Sequence, residues 1–211
     1  MTKKIHVLGG GTRFYIRPHL ALSAPAGGKT ARWLHKTIAY WPNDLFQGYE
    51  VNLHLTRMAG GNSNLDMNAD VARLVDELVA DPDTKIIFFN VAMCDFEAHV
   101  LGPDGTGATI MTPSGKDQPR LKSRADERPL ISLTPAEKVI GKIRETRKDI
   151  FLVGFKTTAG ATENEQFLAG LKLCKEAHCN LVVANDIQTK INMIVTPEQS
   201  RYGVKIGRAH V

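Results

Sequence analysis

The sequence lacks any long apolar run, and it is poor in cysteine. No apolar run approaches the ~20 residues that a membrane-spanning helix needs. The three cysteines, Cys94, Cys174 and Cys179, follow no disulfide or metal spacing, which is typical of a reducing compartment. No signal-peptide segment precedes the first predicted strand. We therefore expect a soluble, cytoplasmic protein with no membrane partner.

The sequence also lacks a basic cluster. It contains 27 lysines and arginines against 22 acidic residues, and the resulting formal charge of +5 is spread along the chain. Proteins that bind nucleic acid usually concentrate their positive charge on one face. We therefore expect no nucleic-acid partner, and the modest excess fits an anionic small-molecule substrate better.

Two familiar phosphate-binding motifs are incomplete. Gly9 and Gly11 begin a dinucleotide fingerprint, but Phe14 occupies the place of its third glycine. Gly28-Lys29-Thr30 imitates the end of a P-loop, but Ser23 stands where the P-loop needs its first glycine. The helix predicted to begin at Thr30 could still hold a phosphate, because the first amides of a helix are unpaired.

Short apolar strands alternate with amphipathic helices along the chain. This alternation predicts one α/β domain over residues 1–211, Rossmann-like, with a mostly parallel sheet and helices on both faces. The predicted strands are 5–8, 49–55, 86–89, 150–153 and 181–183, followed by a hairpin of 193–196 and 202–206. The predicted helices are 30–40, 70–79, 137–147 and one between the strands at 150–153 and 181–183.

Residues 97–134 break the alternation. Glycines and prolines interrupt this segment, and a stretch this long without regular periodicity is usually functional or mobile. We predict an extended β arm with short strands near 108–111 and 130–133.

Polar or glycine-rich segments follow four of the predicted strands. Because ligands of parallel sheets bind beyond the carboxyl ends of the strands, we expect these segments to border one site. The segments are 9–12, 90–95, 154–158 and 184–186.

Single residues in this pattern keep more than one interpretation. Asp95 could hold a ribose hydroxyl or a magnesium ion, or it could cap a turn. Lys122 in the arm could close over phosphates or face water. Cys174 and His178 share a helix face, but no second cluster supplies further zinc ligands, so we predict no metal site.

Several short segments resemble one family when they are taken in order. They are GGT at 10–12, NVAMCDF at 90–96, RLKS at 120–123, VGF at 153–155 and VVAND at 182–186. Their order and spacing resemble phosphopantothenate–cysteine ligase, which joins cysteine to phosphopantothenate in coenzyme A biosynthesis. The resemblance extends over nearly the whole chain.

The resemblance implies a nucleotide site and assigns residues to it. Asp95 would contact the ribose, Lys122 the triphosphate, and Phe155 would border the nucleotide. The full implied set is Gly10, Gly11, Thr12, Asn90, Val91, Asp95, Lys122, Thr134, Pro135, Ala136, Phe155, Lys172, Lys175, Asn185 and Asp186. Among these, Lys122 would also serve catalysis, by stabilising charge on the phosphates.

The family mechanism that the resemblance implies uses CTP and Mg²⁺. The nucleotide activates the phosphopantothenate carboxylate as an acyl-nucleotide, pyrophosphate leaves, and the cysteine amine attacks the mixed anhydride. The resemblance further implies a homodimer, with the arm as the candidate contact.

The chain departs from the family pattern at Leu20 and Ala24, where an arginine and an asparagine are expected. Neither side chain can donate a hydrogen bond. In addition, Glu176 stands in place of a second helix lysine, which leaves Lys175 as its nearest substitute. A nucleotide-binding protein without this ligase activity is therefore an alternative.

A second alternative is an NAD(P)-dependent reductase on the same fold. The missing glycine fingerprint weighs against it, as does the absence of any tyrosine followed four residues later by a lysine.

Overall fold

A seven-stranded sheet forms the centre of the molecule. The computed structural model describes residues 2–41, 44–60, 64–104, 106, 108–123 and 128–204. In chain order the elements are β1 (Lys3–Gly11), β2 (Arg13–Arg17), β3 (Leu20–Ser23), α1 (Lys29–Ala39), β4 (Tyr49–Leu55), α2 (Asn68–Ala80), β5 (Thr84–Ala92), β6 (Phe96–Pro103), β7 (Thr109–Met111), β8 (Ile131–Pro135), α3 (Val139–Thr146), β9 (Phe151–Thr158), α4 (Glu163–Glu176), β10 (Leu181–Asp186), β11 (Asn192–Val195) and β12 (Arg201–Gly203).

The order of the strands confirms the predicted α/β class. The sheet runs β12-β11-β10-β9-β5-β1-β4. β4, β1, β5, β9 and β10 are parallel to one another, while β11 and β12 add antiparallel strands at one edge. The strand order reverses at β1, so the crevice between β1 and β5 is the switch point at which such sheets bind ligands.

Helices cover the two faces of the sheet unequally. Leu8, Phe89 and Val182 belong to one core cluster with side chains of α2, α3 and α4. On the other face, Ile5 and Val7 pack with α1. The prediction of helices on both faces is therefore confirmed, with α1 covering β1 and β4 at one side of its face.

The arm contains three strands rather than the predicted two. β7 and β8 lie close to the predicted strands, and β6 pairs with both of them. β6 has one buried side, formed by Ala98 and Val100, but it ends in Gly102-Pro103, and these residues hid it among the loop signals of the segment.

A hairpin of β2 and β3 is absent from the predicted elements. Its Ile16 packs against Ala98 and Val100 of the arm. Pro18 and His19 form the turn and divide the segment into strands of 5 and 4 residues, too short for a clear alternation.

The last hairpin forms as predicted, although its second strand is β12 at Arg201–Gly203. Residues 205 and 206 of the predicted strand lie outside the described part of the chain. None of the described helices is both long and apolar enough to cross a bilayer.

Candidate functional site

A cleft of about 1000 Å³ opens at the carboxyl ends of the parallel strands. Parallel sheets bind ligands beyond the carboxyl ends of their strands, and the cleft lies there, beside the switch point between β1 and β5. Its walls come from the ends of β1, β5, β9 and β10, from the start of α1 and from the turn after β10. The lining residues are Gly10, Ala26, Gly27, Gly28, Lys29, Thr30, Asn90, Phe155, Thr157, Val183, Asn185, Asp186, Ile187, Lys190, Asn192 and Val204.

The start of α1 forms one wall. Gly28 caps this helix in the left-handed conformation, with φ 67°, and no side chain accepts from the first amides. The first hydrogen bond within the helix joins the Arg32 amide to the Gly28 carbonyl, so the preceding amides have no helical partner. With Lys29 beside them and no acidic residue in the first turn, these amides favour an anion.

Two glycines of β1 let neighbouring segments of the chain approach this strand closely. Gly10 has φ +106°, and a Cβ there would lie 2.1 Å from Oγ1 of Thr56. A Cβ on Gly11 would lie 2.0 Å from the carbonyl oxygen of Ala24. The glycine cluster therefore serves close packing, and the backbone of Gly10 reaches the cleft while Gly11 does not line it.

The floor of the cleft carries an aromatic ring and amide groups. Phe155 and Thr157 alternate along β9 and so share one side of the strand. The Thr157 hydroxyl donates to Oδ1 of Asn185 at 3.0 Å, which fixes the orientation of that amide. Asn90 at the end of β5 adds another amide. A flat ring beside amide donors and acceptors suits a planar, polar group such as a nucleobase.

Asp186 forms the far wall, but its carboxylate is already satisfied. The side chain is 2% exposed. It accepts hydrogen bonds from the Thr158 hydroxyl and from the amides of Gly160, Ala161, Gln188 and Thr189. Burial opposes its ionisation, yet these donors outweigh burial and hold the pKa of Asp186 well below its usual range. Asp186 therefore joins the loop after β9 to the turn after β10.

Thr12 is buried and acts within the fold. Its hydroxyl donates to Oδ1 of Asn68 at 2.6 Å and accepts from the Cys94 amide at 2.8 Å. It therefore ties together the ends of β1 and β5 and the start of α2. No exposed surface of Thr12 remains for a ligand to contact.

Another predicted group gathers at the base of the arm, outside the cleft lining. Asp95 is exposed and forms an ion pair with Lys138 at 2.5 Å. Its carbonyl accepts from the Ala136 amide at 2.9 Å. Thr134 and Pro135 lie in β8, paired with the start of β6. These residues are therefore neighbours at the base of the arm, and their role in nucleotide binding stays a prediction.

The helix lysines lie at the opposite edge of the sheet from the cleft. α4 starts beyond the carboxyl end of β9 and returns to the amino end of β10. Lys172 is exposed there, 3.8 Å from Glu176. Lys175 borders a separate pocket of about 520 Å³ with Asn180, which precedes β10. Their role as phosphate ligands stays a prediction.

The cleft thus unites five of the fifteen predicted residues, namely Gly10, Asn90, Phe155, Asn185 and Asp186. The structure places the other ten elsewhere, and these are Gly11, Thr12, Val91, Asp95, Lys122, Thr134, Pro135, Ala136, Lys172 and Lys175. Lys190 and Asn192 also line the cleft, and no motif in the sequence marks them. Their one signal was position, since they follow the Ala184-Asn185-Asp186 segment within a few residues.

The cysteines are buried and unreactive. The Cys174 thiol donates to the Cys179 carbonyl at 3.4 Å. Burial, reinforced by Cys174, raises the pKa of Cys179 to about 12. Burial also raises the pKa of Cys94. The described residues contain no group of three or more potential metal ligands.

Comparison with known proteins bears on the predicted family. No family model matches the chain. A curated relative, the coenzyme A biosynthesis bifunctional protein CoaBC of Thermococcus kodakarensis, is 23% identical over 191 residues. The predicted resemblance to the phosphopantothenate–cysteine ligase family is confirmed. The match covers 88% of this chain and 42% of the relative, so the chain spans less than half of that protein.

Solved structures share the fold of this chain. The DNA/pantothenate metabolism flavoprotein of Streptococcus pneumoniae matches with a TM-score of 0.74 and 20% identity, over 97% of this chain and 93% of that one. The C-terminal domain of a CoaBC protein gives 0.64 and 17%, over 96% and 86%. A Cab2 mutant in complex with phosphopantothenate-cysteine gives 0.65 and 14%, over 99% and 82%.

Proposed function

We propose that the chain is a ligase that joins 4′-phosphopantothenate to cysteine through an acyl-nucleotide made from CTP. The observation that carries the proposal is the cleft, which combines a helix N-terminus, two lysines and an aromatic floor at the switch point of the sheet. The curated relative is named for coenzyme A biosynthesis, and one solved neighbour is described with phosphopantothenate-cysteine. Both support this substrate class.

The cleft can perform the first half of this reaction by electrostatic means. The amides at the start of α1, with Lys29, would bind phosphate oxygens, while Phe155 would lie against the base. The phosphopantothenate carboxylate attacks the α-phosphorus, the bond to the β-phosphate breaks, and pyrophosphate leaves with its negative charge. Positioned cations lower the barrier because they stabilise the charge that moves onto the leaving group.

In the second half the cysteine amine attacks the acyl carbon, and CMP leaves with the electrons of the acyl–oxygen bond. The amine loses its proton as the amide bond forms. No enzyme nucleophile takes part, so the buried thiols of the chain are not needed. What the cleft contributes here is exclusion of water from the mixed anhydride and alignment of the two reactants.

Mg²⁺ fits this site as an ion carried by the nucleotide. Asp186, the one carboxylate that lines the cleft, is already occupied by internal donors. The described residues offer no cluster of three ligands. Magnesium commonly keeps water and phosphate oxygens as ligands, and it would neutralise phosphate charge in that form.

A nucleotide-binding protein without ligase activity is the second candidate, and Leu20 favours it. Leu20 packs in β3 against the Ile16, Ala98 and Val100 cluster instead of presenting a polar group. The amide of Ala24 donates to the Thr12 carbonyl at 3.0 Å, and its methyl group has no donor to offer an acyl-nucleotide. The expected hydrogen bonds to the intermediate would have to come from elsewhere.

The deciding experiment incubates the chain with CTP, phosphopantothenate, cysteine and Mg²⁺ and measures pyrophosphate and product mass. Equal amounts of pyrophosphate and phosphopantothenoylcysteine support the ligase. Absence of both, with CTP raising the melting temperature, supports the non-catalytic candidate. A rise with NAD(P) in place of CTP would instead favour a reductase.

We also propose that the chain forms a homodimer through the arm. One face of its three-stranded sheet packs on the β2–β3 hairpin. Large apolar side chains of the arm remain exposed, and these are Phe96, Ile110, Met111, Leu130, Ile131 and Leu133. Large apolar side chains exposed in this number on one small sheet are typical of an interface. A dimer would also carry Lys122 toward a second copy, since it does not line the cleft of its own chain.

A further inference from the structure

Two lysines from different elements line the cleft. Lys29 stands at the start of α1, and Lys190 stands in the turn between β10 and β11. Both are exposed, and neither forms an ion pair within the described part of the chain. Asp186, the one carboxylate among the described lining residues, already accepts from four backbone amides and the Thr158 hydroxyl. The cleft therefore holds a net positive charge divided between two sides.

The turn holds Lys190 firmly in place. Its backbone has φ +63°, a conformation that residues other than glycine rarely adopt. Its amide donates to the Asp186 carbonyl at 3.1 Å, and its carbonyl accepts from the Asn192 side chain at 3.0 Å. The ammonium donates to the Ile187 carbonyl, its one hydrogen-bond partner among the described residues. An ammonium has three donors, so two remain for a ligand.

We propose that Lys190 binds the β- and γ-phosphates of the nucleotide and thereby selects triphosphate over monophosphate. This inference rests on the proposed nucleotide-dependent function. The wall opposite Lys190 supplies unpaired helix amides and Lys29, which suit one end of a phosphate chain. A lysine across the cleft suits the other end. Lys190 lies outside the segments that carry the family resemblance.

The position of Lys190 also gives it a part in the reaction. Pyrophosphate leaves carrying the β- and γ-phosphates, so a cation bound to them stabilises the charge that develops as the bond to the α-phosphorus breaks. A monophosphate does not extend to this side. Lys190 should accordingly affect the binding of triphosphate and inorganic tripolyphosphate but leave CMP binding nearly unchanged.

The test compares Lys190→Asn with the wild-type chain by titration calorimetry against CTP, CMP and inorganic tripolyphosphate. Asparagine removes the charge and tolerates the left-handed backbone. Loss of one charged hydrogen-bonding group should weaken CTP and tripolyphosphate binding about tenfold and CMP binding less than about twofold. Lys190→Arg should restore most of the CTP affinity, since it keeps a cation there.

Lys36→Gln is the matched control. It removes the same charge from the exposed side of α1, outside the cleft. It should leave all three affinities unchanged. The turn is intact if ligand-free Lys190→Asn melts within about 2 °C of the wild-type chain. If its melting temperature falls further, Lys190→Gln removes the same charge and replaces Lys190→Asn in the titrations.

The outcomes separate this inference from the proposed reaction. Equal CTP affinity in wild type and Lys190→Asn, or an equal loss for CMP, overturns the role of Lys190 even where ligase product forms. Lys190-dependent binding of tripolyphosphate without any ligase product supports the role and removes the ligase reaction. A wild-type chain that binds none of the three probes overturns the inference as well.

Discussion

The carboxylate of Asp186 is buried where the loop after β9 meets the turn after β10, and this turn lines the cleft. It accepts from the amides of Gly160 and Ala161 on one side and of Gln188 and Thr189 on the other. Since the following turn presents Lys190, the geometry of the site depends on a residue whose own side chain is not free to bind a ligand. Asp186 is in this sense a positioning residue.

Replacing Asp186 with asparagine should weaken both the fold and the site. An asparagine amide can accept at one atom only, and its NH₂ group would face backbone donors. We expect a melting temperature lower by several degrees and CTP affinity reduced by about tenfold or more. Asp76→Asn, an exposed change on α2, is the control, and equal melting temperatures for Asp186→Asn and wild type would contradict the assignment.

The low pKa of Asp186 gives this variant a second signature. An aspartate titrates near 3.9 in an unfolded chain, so its folded-state ionisation stabilises the protein above that pH. This stabilisation is lost as the pH falls below about 4, toward the lower folded pKa. Urea unfolding at several pH values should therefore show a steeper acid decline for wild type than for Asp186→Asn.

At the scale of elements, β1 and β4 are joined by a histidine pair, buried His6 and half-buried His54, as well as by their backbone ladder. Nδ1 of His6 lies 3.0 Å from Nε2 of His54, and Nε2 of His6 lies 3.2 Å from the Thr84 hydroxyl. Burial, and next the charge of His54, lowers the pKa of His6 to about 4. Burial also lowers the pKa of His54. Both rings are therefore neutral in the folded protein at pH 7.

This pair predicts acid sensitivity of the sheet. The unfolded chain takes up a proton at His6 near pH 6.5 and the folded chain only near 4. The contribution of His6 to the free energy of unfolding is therefore fully present above about pH 6.5. It decreases between about pH 6.5 and 4, at about 1.4 kcal/mol per pH unit and by up to roughly 3 kcal/mol in total. His6→Gln should flatten this decline in urea unfolding, whereas the exposed His19→Gln should not; an unchanged slope in His6→Gln would refute the account.

Four of the parallel strands, β1, β5, β9 and β10, were predictable because each contains a short apolar run between breakers. Leu152 and Val182 are fully or almost fully buried, as that pattern requires. β4, at the edge of the sheet, was predictable from its alternation of apolar and polar residues. β6 and the β2–β3 hairpin were not predictable in the same way. Their small buried side forms only when the arm and hairpin pack together at Ile16 and Ala98, which no local pattern reveals.

The site was predictable where it follows topology. Asn90, Phe155 and Asn185 stand at carboxyl ends of parallel strands, and the structure brings them to one cleft. Lys172 was assigned from a short resemblance, and α4 carries it to the other edge of the sheet. Lys190 was not predictable, because its turn depends on a buried carboxylate and a single lysine in a turn forms no sequence pattern.

At the scale of the whole molecule, the proposed dimer depends on the exposed apolar side chains of the arm. Leu133 is 53% exposed in the middle of β8, among other apolar side chains. Leu133→Glu should convert a dimer into a monomer in light scattering, since a buried charge opposes association. Leu168→Glu is the control, because Leu168 is 52% exposed on α4 instead. A wild-type monomer would contradict the dimer.

Lys122 provides a prediction that depends on this assembly. If the arm brings Lys122 to the cleft of a second copy, Lys122→Ala should weaken CTP binding about tenfold in the dimer. The same change added to monomeric Leu133→Glu should have no further effect. Titration calorimetry on the four proteins measures this coupling, and equal losses in both backgrounds would place Lys122 in its own chain's site.

The shared acceptor at Asp186 has a consequence for motion as well. Because one carboxylate holds amides from both loops, the segments around Gly160 and Thr189 cannot open independently without stranding a buried charge. They should behave as one cooperative unit in native-state hydrogen exchange, with the four amides protected to a similar degree. A bound nucleotide that engages only the Lys190 side would then slow exchange on the other loop too.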